Sequence, residues 1–158
     1  IVGGQIKVIN FASGTHRFRY VPLKHNEIIQ LGKRRYPFNN VTLMFDKLKY
    51  CSLNYEQTGN LIEDYSLFAE FVRGSWKMAN VSEKIVDVNF SYRDYERRSG
   101  LEYLKEELYI QKKLLSIEYI NKGQYFYNVI LRVFVRLFLP IKILGLLTES
   151  NFRSKKGM

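Results

Sequence analysis

Two adjacent carboxylates, Glu63 and Asp64, are the side chains in this sequence whose type and position best suit acid–base chemistry. They follow the turn formers Gly59 and Asn60 and precede apolar residues at positions 65, 67, 68, 71 and 72, so the pattern predicts that they open a helix. Backbone N–H groups keep a carboxylate there ionised and fix its direction, which suits a general base. The position suits an ordinary helix-capping acid equally well, so the spacing leaves both roles open.

Two pairs of arginine residues are the second feature that could take part in binding or catalysis. Arg34 and Arg35 precede Pro37, and Arg97 and Arg98 precede the glycine at position 100. The net charge is +10, and it is unevenly spread: +6 in residues 1–45, −2 in residues 46–120 and +6 in the last 38. This distribution predicts an anionic partner, which could be phospholipid, a substrate carrying a pyrophosphate, or nucleic acid.

Several other chemistries are excluded by missing motifs. The opening IVGG is typical of activated trypsin-like proteases, but the Gly-Asp-Ser-Gly-Gly loop and the paired cysteines are absent. Walker, Rossmann and zinc-type spacings are absent as well. A single cysteine, Cys51, rules out an internal disulfide, and we interpret it as a small buried hydrophobic residue.

The elements that must position these residues alternate between strands and helices, which predicts an α/β fold. Gly3 and Gly4 indicate a close backbone approach or a bulge in the first strand, and a loop is expected around Arg17 and Arg19. Residues 47–60 are expected to be irregular. Strands are predicted at Ile1–Phe11, Val41–Phe45 and a buried Lys84–Phe90, and helices at His25–Gly32, Tyr65–Arg73 and Gly100–Tyr119.

The last apolar segment, Tyr125–Leu147, does not have the composition of a membrane-spanning helix. Arg132, Arg136 and Lys142 interrupt it and Pro140 breaks it, whereas a span needs about 20 largely apolar residues.

Asn128, Arg132 and Arg136 recur at every fourth position and fall on one face of a helix, with apolar side chains over the rest. This pattern favours an amphipathic helix that lies on a membrane surface, and the cations Arg153, Lys155 and Lys156 would add attraction to anionic lipid. Packing of the helix on the protein's own core or on a second subunit is the alternative.

Three segments in order resemble the C-terminal, acceptor-side half of bacterial family-2 glycosyltransferases. They are RRYPFNNVTLMFDK, LIEDYSLFAEFVRGSWKMANVSEKIVDV and YRDYERRSGLEYLKEE, and the resemblance covers about residues 1–120. Two positions depart from the family pattern: Asn40 stands where a histidine usually follows Asn39, and Phe68 stands where a tryptophan is common.

The resemblance implies part of a GT-A-type mixed sheet with flanking helices, followed by long C-terminal helices of which the last is amphipathic. Residues 1–120 would belong to the catalytic domain and residues 121–158 would form a basic, membrane-associating tail. The start at Ile1 inside a strand is interpreted as a cut end, with the nucleotide-binding half and its Asp-x-Asp segment missing. The chain alone is therefore expected to be inactive.

The resemblance also implies roles for residues. Asp64 would be the general base of an inverting transfer, and Glu63 would orient or cap. Substrate-binding candidates are Arg97, Arg98, Arg34, Arg35 and Asn39. The complete enzyme would use Mn or Mg, with ligands mostly outside this chain. It would take a nucleotide-sugar donor and a saccharide or lipid-linked acceptor, at the inner face of the cytoplasmic membrane.

A noncatalytic basic module that binds a membrane surface or nucleic acid is the competing hypothesis. Single-strand binders interleave aromatic and basic side chains on a sheet face. The aromatic residues here lie in predicted helices and beside acids, so a nucleic-acid partner is not expected.

Overall fold

The computed structural model describes residues 1–10, 14–46, 48, 63–89 and 100–138. Cys51, Arg97, Arg98, the cations of the C-terminal tail, and the segment 47–60 apart from Leu48 lie outside the described residues. The elements in chain order are β1 (Val2–Asn10), β2 (Thr15–Arg19), α1 (His25–Gly32), a 3₁₀ turn (Asn40–Thr42), α2 (Glu63–Arg73), β3 (Ala79–Asn89), α3 (Gly100–Ser116) and α4 (Lys122–Phe138).

The three strands form one mixed sheet in the order β2-β1-β3. β1 and β2 are antiparallel, with Ile6 opposite Arg19, and β1 and β3 are parallel, with Val8 opposite Val88. This arrangement with its flanking helices confirms the predicted α/β class and the mixed sheet.

The glycines of β1 permit a close approach to β3, as predicted. A Cβ atom added at Gly3 would lie 2.3 Å from Oδ1 of Asn80, too close for any real contact. The register between the two strands also shifts on either side of Gln5, which is the predicted irregularity. The contact with β3 therefore leaves no room for a side chain at Gly3.

The loop predicted around Arg17 and Arg19 is wrong, because both residues lie in strand β2. Gly14, at φ +64°, lies directly before β2, and β2 pairs antiparallel with β1. The side chains of β2 are half-buried or exposed, so the strand lacks the apolar alternation that marks a strand in a sequence.

The strand predicted at Val41–Phe45 is also wrong. Residues Asn40–Thr42 form a 3₁₀ turn, and Met44 alone makes a bridge to Val2. The side chains of Asn39 and Thr42 explain the difference: Asn39 Nδ2 donates to Gly4 O at 2.8 Å, and Gly4 N donates to Thr42 Oγ1 at 2.9 Å. They satisfy backbone groups that a strand would otherwise pair.

β3 occurs where a strand was predicted, but it is longer and most of its side chains are exposed. The prediction of a strand is therefore confirmed, and the prediction that this strand is buried is wrong. Ile85, for example, is 52% exposed, and β3 lies at one edge of the sheet that the structure describes.

The core lies between the helices and one end of the sheet. Phe38 and Phe68 are fully buried with ring centroids 6.3 Å apart, and Phe71 from α2 packs beside Trp76. Ile110 and Leu114 of α3 close the cluster from the other side. Because α2 contributes most of the buried rings, its orientation is determined by the core.

Candidate functional site

Glu63 and Asp64 lie in the first turn of α2 and are half-buried, as the sequence predicts for helix-opening acids. The partial positive charge of a helix N-terminus attracts acidic side chains in the first turn. The functional question is what fixes this turn in place, since a general base must have a constant direction.

Tyr65, the next residue, fixes the first turn of α2 to the end of α1. Its hydroxyl donates to Gly32 O at 2.5 Å. A Cβ atom at Gly32 would lie 2.3 Å from Cζ of Phe68, so a larger residue could not keep the two helices this close. The first turn of α2 is therefore held beside the residues that follow α1.

A buried ion pair anchors the rest of α2 to α3. Lys113 Nζ lies 3.0 Å from Glu70 Oε1 and donates to Ser66 Oγ at 2.9 Å. Both charged side chains are largely removed from solvent, and Glu70 also pairs with Arg73 at 2.6 Å. Together with Tyr65, this pair limits rotation of α2 about its axis.

The carbonyl groups at the end of α1 accept hydrogen bonds from side chains of later elements. Asn128 Nδ2 donates to Lys33 O at 2.8 Å, and an Arg132 nitrogen donates to Arg34 O at 2.6 Å. Tyr119 donates to Ile29 O. The last carbonyls of a helix have no partners within the helix, and here they receive donors from α4 and from the segment before it.

The polar face of α4 consequently points into the protein. Asn128 is 3% exposed, and the side chains of Arg132 and Arg136 are 12% and 15% exposed. Arg136 pairs with both carboxylate oxygens of Glu107 at 2.8 and 3.0 Å. Burial alone would lower the pKa of Arg136, but the hydrogen bond and charge of Glu107 raise it above its ordinary value.

The apolar face of α4 points away from the described residues. Its exposed side chains are Phe126, Tyr127, Ile130, Leu131, Phe134, Leu137 and Phe138, each 46–68% exposed. We call these residues the apolar face of α4. The helix is amphipathic as predicted, and it packs on the protein as the alternative interpretation expects, although it does so through its polar face. Contact of the apolar face with a membrane or a second subunit stays a prediction. The arginines of α4 are paired inside the protein and are not solvated on a free surface.

The structure brings some predicted site residues together and separates others. Arg34 and Arg35 are exposed at the end of α1, which contacts the first turn of α2 through Tyr65. Asn39 lies elsewhere: it is 1% exposed and binds the backbone of β1. That location gives Asn39 a supporting role under the sheet, and its contact with substrate stays a prediction.

The sequence alone does not reveal several residues that hold the site in place. Tyr65 belongs to the apolar stripe of α2, and that pattern does not reveal its hydrogen bond to Gly32. Glu107 was not assigned a role, although it receives Arg136 from α4. The spacing of Asn128, Arg132 and Arg136 was the available signal, since three polar residues on one helical face require partners somewhere.

A metal site is not formed by the residues that the structure describes. Among them, no group of three or more histidine, cysteine, aspartate or glutamate side chains is placed to hold a metal ion. Among the same residues, no helix combines the length and apolarity needed to cross a bilayer.

Two buried tyrosines, Tyr65 and Tyr119, make the stability of the fold sensitive to alkaline pH. Burial raises the pKa of Tyr65 above its ordinary value, and burial likewise raises that of Tyr119. The folded form therefore holds these protons more tightly than the unfolded chain. Below about pH 10, the free energy of unfolding should therefore not change through titration of these tyrosines. Above that pH it should fall, by about 1.4 kcal/mol per pH unit for Tyr65.

Urea unfolding followed by circular dichroism over a series of alkaline pH values measures this slope. The variant Tyr65→Phe should be less stable than the wild type below about pH 10 because it lacks the bond to Gly32, and its decline above pH 10 should be shallower. An equal decline of stability with pH in both proteins would contradict the raised pKa of Tyr65.

Comparison with known proteins shows the class of protein to which this chain is related. The chain is homologous over most of its length to bacterial glycosyltransferases. No protein-family model matches it, and no solved structure matches it.

Three relatives show which glycosyltransferases the chain is similar to. The UDP-Gal:alpha-D-GlcNAc-diphosphoundecaprenol beta-1,3-galactosyltransferase of Escherichia coli is 30% identical over 128 residues, covering 81% of this chain and 46% of that enzyme. The amylovoran biosynthesis glycosyltransferase AmsE of Erwinia amylovora is 27% identical, covering 87% of the chain and 52% of the relative. An uncharacterized glycosyltransferase of Haemophilus influenzae is 31% identical, covering 97% and 57%. The chain thus spans about half the length of these curated relatives.

Proposed function

We propose that this chain is the acceptor-side part of an inverting family-2 glycosyltransferase with a GT-A fold. The donor would be a nucleotide sugar and the acceptor a hydroxyl of a saccharide, carried on a lipid diphosphate or belonging to an envelope polysaccharide. The names of two relatives support this choice, because one acts on a diphosphoundecaprenol-linked sugar and the other serves amylovoran biosynthesis.

The observation that carries the proposal is the rigid placement of the acid pair. Asp64 lies half-buried in the first turn of α2, and Tyr65 ties that turn to the cationic end of α1. In a single displacement the acceptor oxygen bonds to the anomeric carbon, and the nucleotide diphosphate leaves with the electrons of the broken C–O bond. Asp64 takes the proton of the acceptor hydroxyl, and Glu63 orients or caps the turn.

The departing diphosphate gains negative charge, which fixed cations stabilise. Arg97 and Arg98 are our first candidates for binding this diphosphate or a phosphate-bearing acceptor, and Arg34 and Arg35 are our second. The complete enzyme would also use Mn or Mg. The described residues do not form a set of ligands for it, so that ion would be bound by other parts of the enzyme.

The apolar face of α4 would rest on the inner leaflet of the cytoplasmic membrane. Its occupant is a bilayer with anionic lipid, because the sequence after α4 continues as LPIKILGLL and then carries the cations Arg153, Lys155 and Lys156. The inward polar contacts of Arg132 and Arg136 leave the apolar side chains of α4 as the part that meets lipid.

Sugar transfer by the full-length protein tests the proposed activity. The assay measures nucleotide diphosphate released from a nucleotide sugar, with and without a lipid-diphosphate-linked saccharide, in the presence of Mn(II) and after chelation. We expect release that depends on both the acceptor and the metal. Binding to vesicles without any acceptor-dependent release would favour the noncatalytic membrane module instead.

A further inference from the structure

A cleft lies between the end of α1 and the first half of α4. Its volume is about 530 Å³. One wall comes from α1 and the residues after it, and the other comes from α4. No acidic side chain is among the lining residues that the structure describes. The lining residues are Gln30, Leu31, Lys33, Arg34, Gly123, Gln124, Tyr127 and Asn128.

The backbone of the cleft is fixed independently of its cations. Asn128 and Arg132 bind the carbonyl oxygens of Lys33 and Arg34, so the walls are held by main-chain groups of these two residues. Their charged side chains are not used in that contact. Arg34 is exposed, and among the described residues neither cation forms an ion pair with a carboxylate. Among the described residues, the two positive charges of the cleft are therefore not neutralised by an acid.

The cleft opens directly onto the apolar face of α4. Tyr127 belongs to both, since it lines the cleft and is 62% exposed. Ile130 and Phe134 continue the exposed surface along the helix, one turn at a time. A cationic pocket that joins an apolar strip is complementary to an amphiphile with an anionic head and a hydrocarbon chain.

We propose that this cleft binds the diphosphate head group of a prenyl-linked acceptor, with Lys33 and Arg34 on the phosphates and the prenyl chain along the apolar face of α4. The proposal rests on the proposed function, because it assigns the anchor of the acceptor to this site. The first turn of α2 contacts Gly32, the residue immediately before Lys33. A sugar attached to the diphosphate is thereby bound near the helix that carries Asp64.

Vesicle flotation of the whole chain tests the site without any sugar transfer. Three compositions are compared: phosphatidylcholine alone, phosphatidylcholine with prenyl diphosphate, and phosphatidylcholine with phosphatidylglycerol at the same total charge. We expect binding to prenyl-diphosphate vesicles about tenfold tighter than to phosphatidylglycerol vesicles, because two cations form charge-assisted hydrogen bonds to one head group.

The double variant Lys33→Gln/Arg34→Gln should lose this preference and retain binding to phosphatidylglycerol vesicles. Its backbone carbonyls remain available to Asn128 and Arg132, so the cleft should keep its shape. The matched control Lys77→Gln/Lys112→Gln removes two exposed charges outside the cleft and should keep the preference.

Equal wild-type affinity for the two charged vesicles would overturn the proposal and show an unspecific attraction to anionic lipid. A preference that survives in Lys33→Gln/Arg34→Gln would overturn it as well. Because no nucleotide sugar is present, a failure here is separate from a failure of Asp64 as the base, which only the transfer assay detects.

Discussion

Replacing Asp64 with asparagine in the full-length enzyme should lower the rate of sugar transfer by about a hundredfold to ten-thousandfold. The amide has nearly the same size and keeps an oxygen that can accept from backbone N–H groups, but it cannot take the acceptor's proton. The fold should tolerate the change, because α2 is held by Tyr65 and by the pair of Glu70 and Lys113. Nucleotide release in the presence of acceptor is the measurement.

Glu63→Gln is the matched control, since it removes the neighbouring carboxylate in the same helical turn. An orienting or capping residue should cost less than the base itself, so we expect a loss of about tenfold or less. Unchanged turnover in Asp64→Asn would remove this residue as the base. Equal losses in both variants would point to the charge of the turn and not to one proton acceptor.

Charging the apolar face of α4 should abolish most membrane binding. In the variant Ile130→Glu/Phe134→Glu, two exposed apolar side chains are replaced by acids. Full burial of such a side chain is worth about 1.5–3 kcal/mol, so removing two partly immersed ones should weaken binding by about a hundredfold. Flotation with vesicles that contain phosphatidylglycerol measures this effect.

The control Val41→Glu/Leu101→Glu introduces the same charge at exposed apolar positions outside α4, and it should bind as the wild type does. Equal weakening in both variants would mean that net charge alone governs binding. A wild-type chain that ignores vesicles but forms dimers, which Ile130→Glu/Phe134→Glu dissociates, would make the face a protein interface.

The helices and the class of the fold could be predicted because their signals are local. α1, α2 and α3 each carry an apolar stripe, and Gly74 follows the last residue of α2 as a stop signal. The strand β2 could not be predicted in this way. Its side chains are only partly buried, and its pairing with β1 depends on a turn that the composition around Arg17 does not reveal.

Residues 41–45 show the opposite error, in which β-branched and apolar residues suggest a strand that does not form. Thr42 and Asn39 are polar side chains whose partners on β1 are almost forty positions away in the sequence. Their effect on the backbone follows from tertiary contacts, which intrinsic propensity does not contain.

The sequence could place the acids of the site but not its surroundings. The position of Glu63 and Asp64 at a helix start follows from turn formers and the apolar stripe alone. The direction of α4 does not, because a helical pattern shows that two faces differ without showing which one faces the protein. Here the free carbonyl groups of Lys33 and Arg34 supply the missing reason, since they require donors and α4 provides them.

The pH dependence of sugar transfer in wild type and Asp64→Asn tests the central claim, that the Asp64 carboxylate removes the proton of the acceptor hydroxyl. The account predicts that wild-type turnover falls at acid pH, because a protonated carboxyl cannot act as a base, and that the residual turnover of Asp64→Asn lacks this decline. The same acid decline persisting in Asp64→Asn would show that another group takes the proton, and the role given to the first turn of α2 would be contradicted.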